Sequence, residues 1–208
     1  MSDQDPASLS AVVLVGGRAS RMGGGDKPLL DVGGTTLFAR TVGALQDAGC
    51  RPIVAVGPEL DACAPVLWVR EEPPFGGPVA ALAAALDGAD AGEWVALLAG
   101  DLPRAHEAVP LLVAHIPERS DGVVFVADGH PQWLAGVYRT ATLRRQVAEL
   151  GDRVAGASCR ALLGELDLVL LPDDDGLTAD VDTPEDLARA RGRAGAIASQ
   201  MTEETTHD

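Results

Sequence analysis

The chain has 208 residues, 47% hydrophobic and 23% charged, which suits one globular domain with a real core rather than a disordered segment. Its formal net charge of −15 argues against nucleic acid or an anionic membrane as partner. No apolar run approaches the roughly 18 residues of a membrane span, and Met1–Leu9 lacks the basic-then-apolar order of a signal peptide, so a cytoplasmic protein is expected.

Ser10–Val15 is a short apolar run ending at Gly16-Gly17 and reads as a buried strand. Thr35–Ala48 carries Leu37, Val42 and Leu45 at helical spacing and stops at Gly49, a suitable C-cap. Strands are expected at Pro52–Val56 and Val66–Val69, an alanine-rich helix at Pro78–Leu86, and an apolar strand at Trp94–Ala99 that runs into Gly100-Asp101. A helix follows around His106–His115. Strands come next at Val123–Ala127 and Trp133–Tyr138, then a helix at Thr140–Leu150 and a short one at Ala157–Leu163. Leu168–Leu171 reads as a strand and Thr183–Arg191 as a last helix, with Thr183 as N-cap and Pro184 at its first position. Residues 1–9 and 193–208 offer little apolar surface and are expected to be mobile ends around one domain, 10–192.

Alternating strands and helices imply an α/β fold, a mainly parallel sheet covered on both faces. Ligands of such sheets gather at the carboxyl ends of the strands. Three features converge there: the loop after the first strand, Gly100-Asp101, and Asp180-Val181-Asp182. Cys50, Cys63 and Cys159 are odd in number with no C-x-x-C pair, so neither zinc nor a disulfide framework is expected.

The loop reads L-V-G-G-R-A-S-R-M-G-G-G-D-K-P. Gly16 and Gly17 can turn sharply and present N–H groups to an anion, while Arg18, Arg21 and Lys27 bring positive charge to an acidic chain. It is neither a Walker A loop nor G-x-G-x-x-G. A triphosphate is the expected ligand. Asp101, at a strand end, suits a hard cation such as Mg²⁺, which takes one or two carboxylates with phosphate oxygens and water. Asp180 and Asp182 would point to opposite faces of an extended segment, leaving Asp182 as the second candidate metal ligand.

These residues resemble a known family. L-V-G-G-R-A-S-R-M-G-G-G-D-K is similar, without a gap, to the L-A-G-G-x-x-x-R-M-G-G-x-D-K signature of molybdenum cofactor guanylyltransferases. F-G-G-P-V-A-A-L, G-D-L-P and V-D-T-P-E-D-L-A resemble further motifs of that family, so the likeness spans about residues 10–192. It implies a three-layer, Rossmann-like nucleotidyltransferase fold. It also implies Mg²⁺-dependent transfer of GMP from GTP to the phosphate of molybdenum-bearing molybdopterin, with release of pyrophosphate. By position, Leu14, Val15, Gly16 and Gly17 would hold the nucleotide through backbone, Lys27 would bind phosphate and Asp101 the metal. A family aspartate falls near Glu71 or Glu72, and Glu72 is taken as the nucleotide contact. Ala81 stands where the family has glycine, and Val15 where alanine is commoner.

The attacking phosphate is already anionic, so catalysis should come from positioning and charge neutralisation, with Arg21 and Lys27 stabilising the leaving group. For the acceptor, Gly129–Trp133 with Arg139 is the candidate stretch, although Trp133 reads first as a core residue. Transient contact with proteins that deliver or receive the cofactor is a further expectation. The alternatives are a cytidylyl- or other small-molecule nucleotidyltransferase of the same fold, and a non-catalytic nucleotide-binding subunit.

Overall fold

Apolar residues with no polar alternation make strands buried on both faces, and β1 (Leu9–Leu14) is of that kind: from Ala11 to Leu14 no residue is more than 9% exposed. The computed structural model describes residues 8–16, 27–72, 74–88 and 90–204, with side chains as far as residue 195. Within them β1 joins β2 (Ile53–Val56), β3 (Leu67–Val69), β4 (Trp94–Ala99), β5 (Gly122–Ala127), β6 (His130–Arg139) and β7 (Leu168–Pro172) in a seven-stranded sheet of order β3-β2-β1-β4-β6-β5-β7. All neighbours are parallel except at β6, which runs against both β4 and β5. The expected α/β architecture is therefore present, with one reversed strand.

That reversal is local in origin. Asp128 and Gly129 both adopt positive φ, 50° and 74°, the two-residue hairpin turn that Asp-Gly favours. The turn lets β6 start at His130, three residues before the expected Trp133, and pair Ala127 with His130.

Helices cover both faces. On one, α1 (Leu37–Asp47) and α3 (Ala105–Ala114) pack Phe38, Val42, Leu45, Ala108 and Leu112 against alternate sheet residues such as Val13 and Leu98. On the other, α2 (Pro78–Gly88), α4 (Thr140–Leu150) and α5 (Cys159–Leu163) bury Leu82, Leu86, Leu143 and Leu162 against Val12, Leu14 and Leu97. Each such Val or Leu, taken fully from water, contributes about 1.5–3 kcal/mol. Helix ends follow the side chains: Thr36 Oγ1 accepts from the Ala39 N–H at 3.1 Å, and Gly49 closes α1 with φ of 79°.

The last helix, α6 (Pro184–Glu204), runs well past the expected Arg191. The sequence after Arg191 is dominated by good helix formers (Ala, Arg, Gln, Glu and Met), and isolated glycines such as Gly192 and Gly195 cost a helix only about 1 kcal/mol each. Leu187 and Ala190 join Val32, Leu37 and Val181 in a third small core, with Ala194 packed against it. This core ties the segment after Lys27 to the segment around Asp182.

Candidate functional site

Parallel register places the strand ends level. Leu14 lies opposite Val56 on one side and Ala99 on the other, so the chain leaves β1, β2 and β4 together at Gly16, Gly57 and Gly100. The turns fit closely. A Cβ on Gly57 (φ 142°) would come within 2.9 Å of the Gly16 nitrogen, and one on Gly100 within 2.8 Å of Val15 Cγ1. Val15 thus wedges its branched side chain between neighbouring turns. The side chains of Leu14 and Val15 are buried in the two cores, and the Val15 N–H and the Leu14 carbonyl are already bonded to the Val56 carbonyl and the Gly100 N–H, so the exposed backbone at this turn is that of Gly16.

Asp101 follows directly. Burial raises its carboxyl above the usual carboxylate range, the charge of Asp180 pushes the same way, and Lys27 opposes both. Asp180 keeps solvent contact, yet partial burial of its carboxyl and the charge of Asp182 raise it as well. The expectation that only one of Asp180 and Asp182 faces the site therefore needs correction. Residues 179–182 form a loop and not a strand, so the alternation of strand faces does not apply. Both carboxylates lie within electrostatic reach of Asp101 and Lys27.

Lys27 enters from a short turn at Lys27–Leu29, held by buried Pro28 and by the Leu30 N–H to the Lys27 carbonyl at 3.0 Å. Its Nζ donates to Asp182 Oδ1 in an ion pair that bridges 155 positions of sequence. Burial lowers the affinity of Lys27 for its proton, but the hydrogen bond and charge of Asp182, helped by Asp101 and Asp180, outweigh it and raise the value. The Asp182 backbone is fixed: its N–H and that of Thr183 donate to Asp186 Oδ2, and the Asp186 N–H donates back to Thr183 Oγ1. This is a reciprocal cap on α6.

Two residues that sequence reasoning missed shape this loop. Asp173 is buried and accepts from the Leu177 and Thr178 N–H groups at 2.6 and 2.8 Å and from the Thr178 hydroxyl at 2.5 Å. Arg104, three residues after Asp101, donates to both oxygens of Glu107 and, at 2.6 Å, to the Asp175 carbonyl. Together they tie the 173–182 loop to the Asp101 segment. Only the D-D-D-G run hinted at a turn there. Burial raises the Asp173 carboxyl, but its three donors and Arg104 outweigh burial and lower it. A carboxyl depressed by folding stabilises above its unfolded value, about 3.9, and that stability is lost as pH falls through the folded value. Asp173→Asn should therefore unfold about 1.5–3 kcal/mol more easily near neutral pH, measured by denaturant titration. The gap to the wild type should narrow in acid below about pH 4; a gap that stays constant with pH would show that the ionised form is not what matters.

Gly17, Arg18 and Arg21 lie outside the described residues. Glu72 is exposed in the loop after β3, whereas Glu71 accepts from the Phe75 N–H at 3.1 Å; of the two, Glu71 shapes the loop. Phe75 is 74% exposed with φ of 64°, an aromatic ring presented at the same edge of the sheet. In the candidate acceptor stretch, residues 130–134 of β6 lie toward the Gly100 end of β4. Arg139 does not. It sits opposite Trp94, at the amino end, stacked 4.3 Å from the indole centroid and bonded to Glu93 and to the Ser120 and Glu118 carbonyls. Its role is structural. Trp133 packs partly into the second core, as its first reading held.

The profile of the MobA-like NTP transferase domain matches residues 11–169. The chain belongs to that family. A probable molybdenum cofactor guanylyltransferase of Opitutus terrae is 33% identical over 196 residues, covering 89% of this chain and 96% of that one. The MobA-like chain also superposes on molybdopterin-guanine dinucleotide biosynthesis protein A of Archaeoglobus fulgidus, with TM-score 0.67, 19% identity and coverage of 90% and 99%. It superposes equally on 2-C-methyl-D-erythritol 4-phosphate cytidylyltransferase of Thermus thermophilus, with TM-score 0.68, 20% identity and coverage of 90% and 98%. At these identities the two structures speak for the fold alone. The family carries the coarser function, nucleotidyl transfer.

Proposed function

We propose that the protein transfers GMP from GTP to a molybdopterin-type acceptor, releasing pyrophosphate, in the cytoplasm. The observation that carries this reading is the cluster of Lys27 with Asp101, Asp180 and Asp182 at the strand ends, beside the exposed backbone of Gly16. The named relatives support the guanine and pterin parts. No helix among the described residues is long and apolar enough to cross a membrane.

An oxygen of the acceptor phosphate attacks the α-phosphorus of GTP. A new P–O–P linkage forms, the bond from the α-phosphorus to the bridging oxygen breaks, and pyrophosphate leaves with that oxygen. The attacking oxygen is already ionised, so no residue need remove a proton. Lys27 neutralises charge gathering on the leaving group, as would Arg21. The backbone of Leu14–Gly17 holds the nucleotide, with Glu72 as a further contact.

Mg²⁺ fits the donor set. Asp101, Asp180 and Asp182 offer hard carboxylate oxygens within electrostatic reach of Lys27, and burial first, then the neighbouring carboxylate, raises Asp101 and Asp180. Among the described residues no group of three or more His, Cys, Asp or Glu side chains could hold a metal ion, so Mg²⁺ here would be an ion bound by one or two carboxylates and completed by phosphate and water. Asp101 and Asp182 would hold it, and it would supply charge neutralisation on the phosphates. The test is pyrophosphate release with GTP, CTP and ATP in the presence of molybdopterin and Mg²⁺. Turnover with GTP is expected; turnover with CTP alone would transfer the reading to a cytidylyltransferase. Tight binding without release would turn it into a nucleotide-binding subunit.

A further inference from the structure

Val15 reaches two turns at once. Its side chain is buried, with Cγ2 toward Gly57 at the end of β2 and Cγ1 toward Gly100 at the end of β4. A Cβ on Gly57 would come within 2.9 Å of Cγ2, and one on Gly100 within 2.8 Å of Cγ1. Carbon atoms do not approach so closely, so the two glycines leave the room that the two methyl groups fill. Among the atoms nearest to these two positions, Val15 supplies the one side chain that they share.

Backbone bonds frame this contact. The Val15 N–H donates to the Val56 carbonyl at 3.0 Å, the Gly57 N–H to the Val69 carbonyl at 3.0 Å and the Gly100 N–H to the Leu14 carbonyl at 2.9 Å. The residues that follow carry the site: Gly16 exposes its backbone, and Asp101 comes directly after Gly100. A β-branched side chain is stiff about χ1, so its methyl groups hold the turns on either side at a fixed separation. Core packing alone needs only volume here, whereas a branched side chain keyed into two missing Cβ atoms also sets a distance. For group transfer that distance matters, because a displacement of about 1 Å can cost about a hundredfold in rate.

We propose that Val15 is a positioning residue whose side chain spaces the Gly16 turn from the Asp101 turn and so aligns a bound nucleotide for transfer. The proposal rests on the nucleotidyl-transfer reading, and Val15 acts through Gly16 and Asp101 rather than by touching substrate. A size exchange between β1 and β4 follows: room emptied at residue 15 can be refilled from residue 100. With Val15 shortened to alanine, a Cβ at residue 100 would next meet the Leu14 carbonyl at 3.3 Å and Val13 Cγ1 at 3.5 Å. Small shifts accommodate contacts of that length.

The test is steady-state transfer by the full-length protein, using whichever of GTP, CTP and ATP the wild type turns over. The variants are Val15→Ala, Val15→Thr, Gly100→Ala and the double variant Val15→Ala/Gly100→Ala, with thermal unfolding read alongside. Val123→Ala is the control, because it removes the same two methyl groups from the same core at a fully buried position on β5. Val15→Ala should lower kcat about tenfold or more and leave the nucleotide KM within about threefold. Val123→Ala should lose comparable stability and keep the wild-type kcat. Val15→Thr preserves the branched shape and should retain most of the turnover. Gly100→Ala should be impaired, and the double variant should exceed each single variant by about fivefold or more. A double variant no more active than the better single one would overturn the spacer. So would an equal fall of kcat in Val123→Ala, which would reduce Val15 to core packing. If Gly100→Ala does not fold, Val15→Ala against Val15→Thr decides, and equal turnover in those two sinks the proposal. Undiminished kcat in Val15→Ala removes the spacer and leaves nucleotidyl transfer standing. Absence of transfer by the wild type with every nucleotide removes that reading, and the spacer with it.

Discussion

Asp101→Asn is expected to lower nucleotidyl transfer at least about a hundredfold, the usual cost of losing one contact that stabilises developing charge. Asparagine keeps the shape and a carbonyl oxygen but loses the charge that holds a hard cation. Its neighbours make the loss specific to chemistry: Asp101 sits on a turn fixed by the Gly100 N–H to the Leu14 carbonyl at 2.9 Å, and that bond does not involve the side chain. Thermal unfolding should therefore stay close to the wild type while pyrophosphate release collapses. Burial and the charge of Asp180 already strain the Asp101 carboxylate, so the variant could even fold slightly more stably. Near-normal release in Asp101→Asn would remove this residue from the reaction.

The second large effect is at Lys27. Lys27→Ala should also cost about a hundredfold or more in turnover, measured by the same assay. Lys27→Arg is the more informative change. It restores a positive charge, yet it is expected to recover less than about a tenth of the lost activity, because a planar guanidinium fork paired with Asp182 cannot replace a compact ammonium. Full recovery by arginine would mean that charge alone is required at this position.

Much of the architecture was legible because it rests on local pattern. Ser10–Val15 and Trp94–Ala99 are continuous apolar runs, and a strand buried on both faces is what such runs can form. The glycines that end them gave the ligand edge. Apart from the β6 reversal, what was not legible depended on contacts between distant segments. The reversal of β6 was written in Asp128-Gly129 but carried no hydrophobic signal. Arg139 looked available for an acceptor until its register opposite Trp94 put it at the far end of the sheet. Asp180 was set aside by an alternation rule that holds only in strands, and the loop around it owes its shape to Arg104 and Asp173, which no spacing could connect to it. Lys27 and Asp101 were each named from sequence, and the fold brings them within electrostatic reach of one another. Their shared neighbour Asp182 was found as a metal candidate, but its ion pair with Lys27 was not foreseen.

The small core of Val32, Leu37, Val181, Leu187 and Ala190 has a consequence for how the protein is made. It joins the early part of the chain to its last helix, and the Lys27–Asp182 pair spans 155 positions. Contacts at such separation form only after the intervening chain is ordered, because loop-closure entropy must be overcome first. During synthesis the sheet from β1 to β7 can assemble before α6 has left the ribosome, whereas this core and the Lys27–Asp182 pair cannot. The nascent chain should thus acquire its sheet first and its completed strand-end site last. In refolding experiments, protection of Lys27 from an amine-acylating reagent by Mg²⁺-GTP should lag behind burial of the tryptophans, and simultaneous appearance of the two signals would contradict that order.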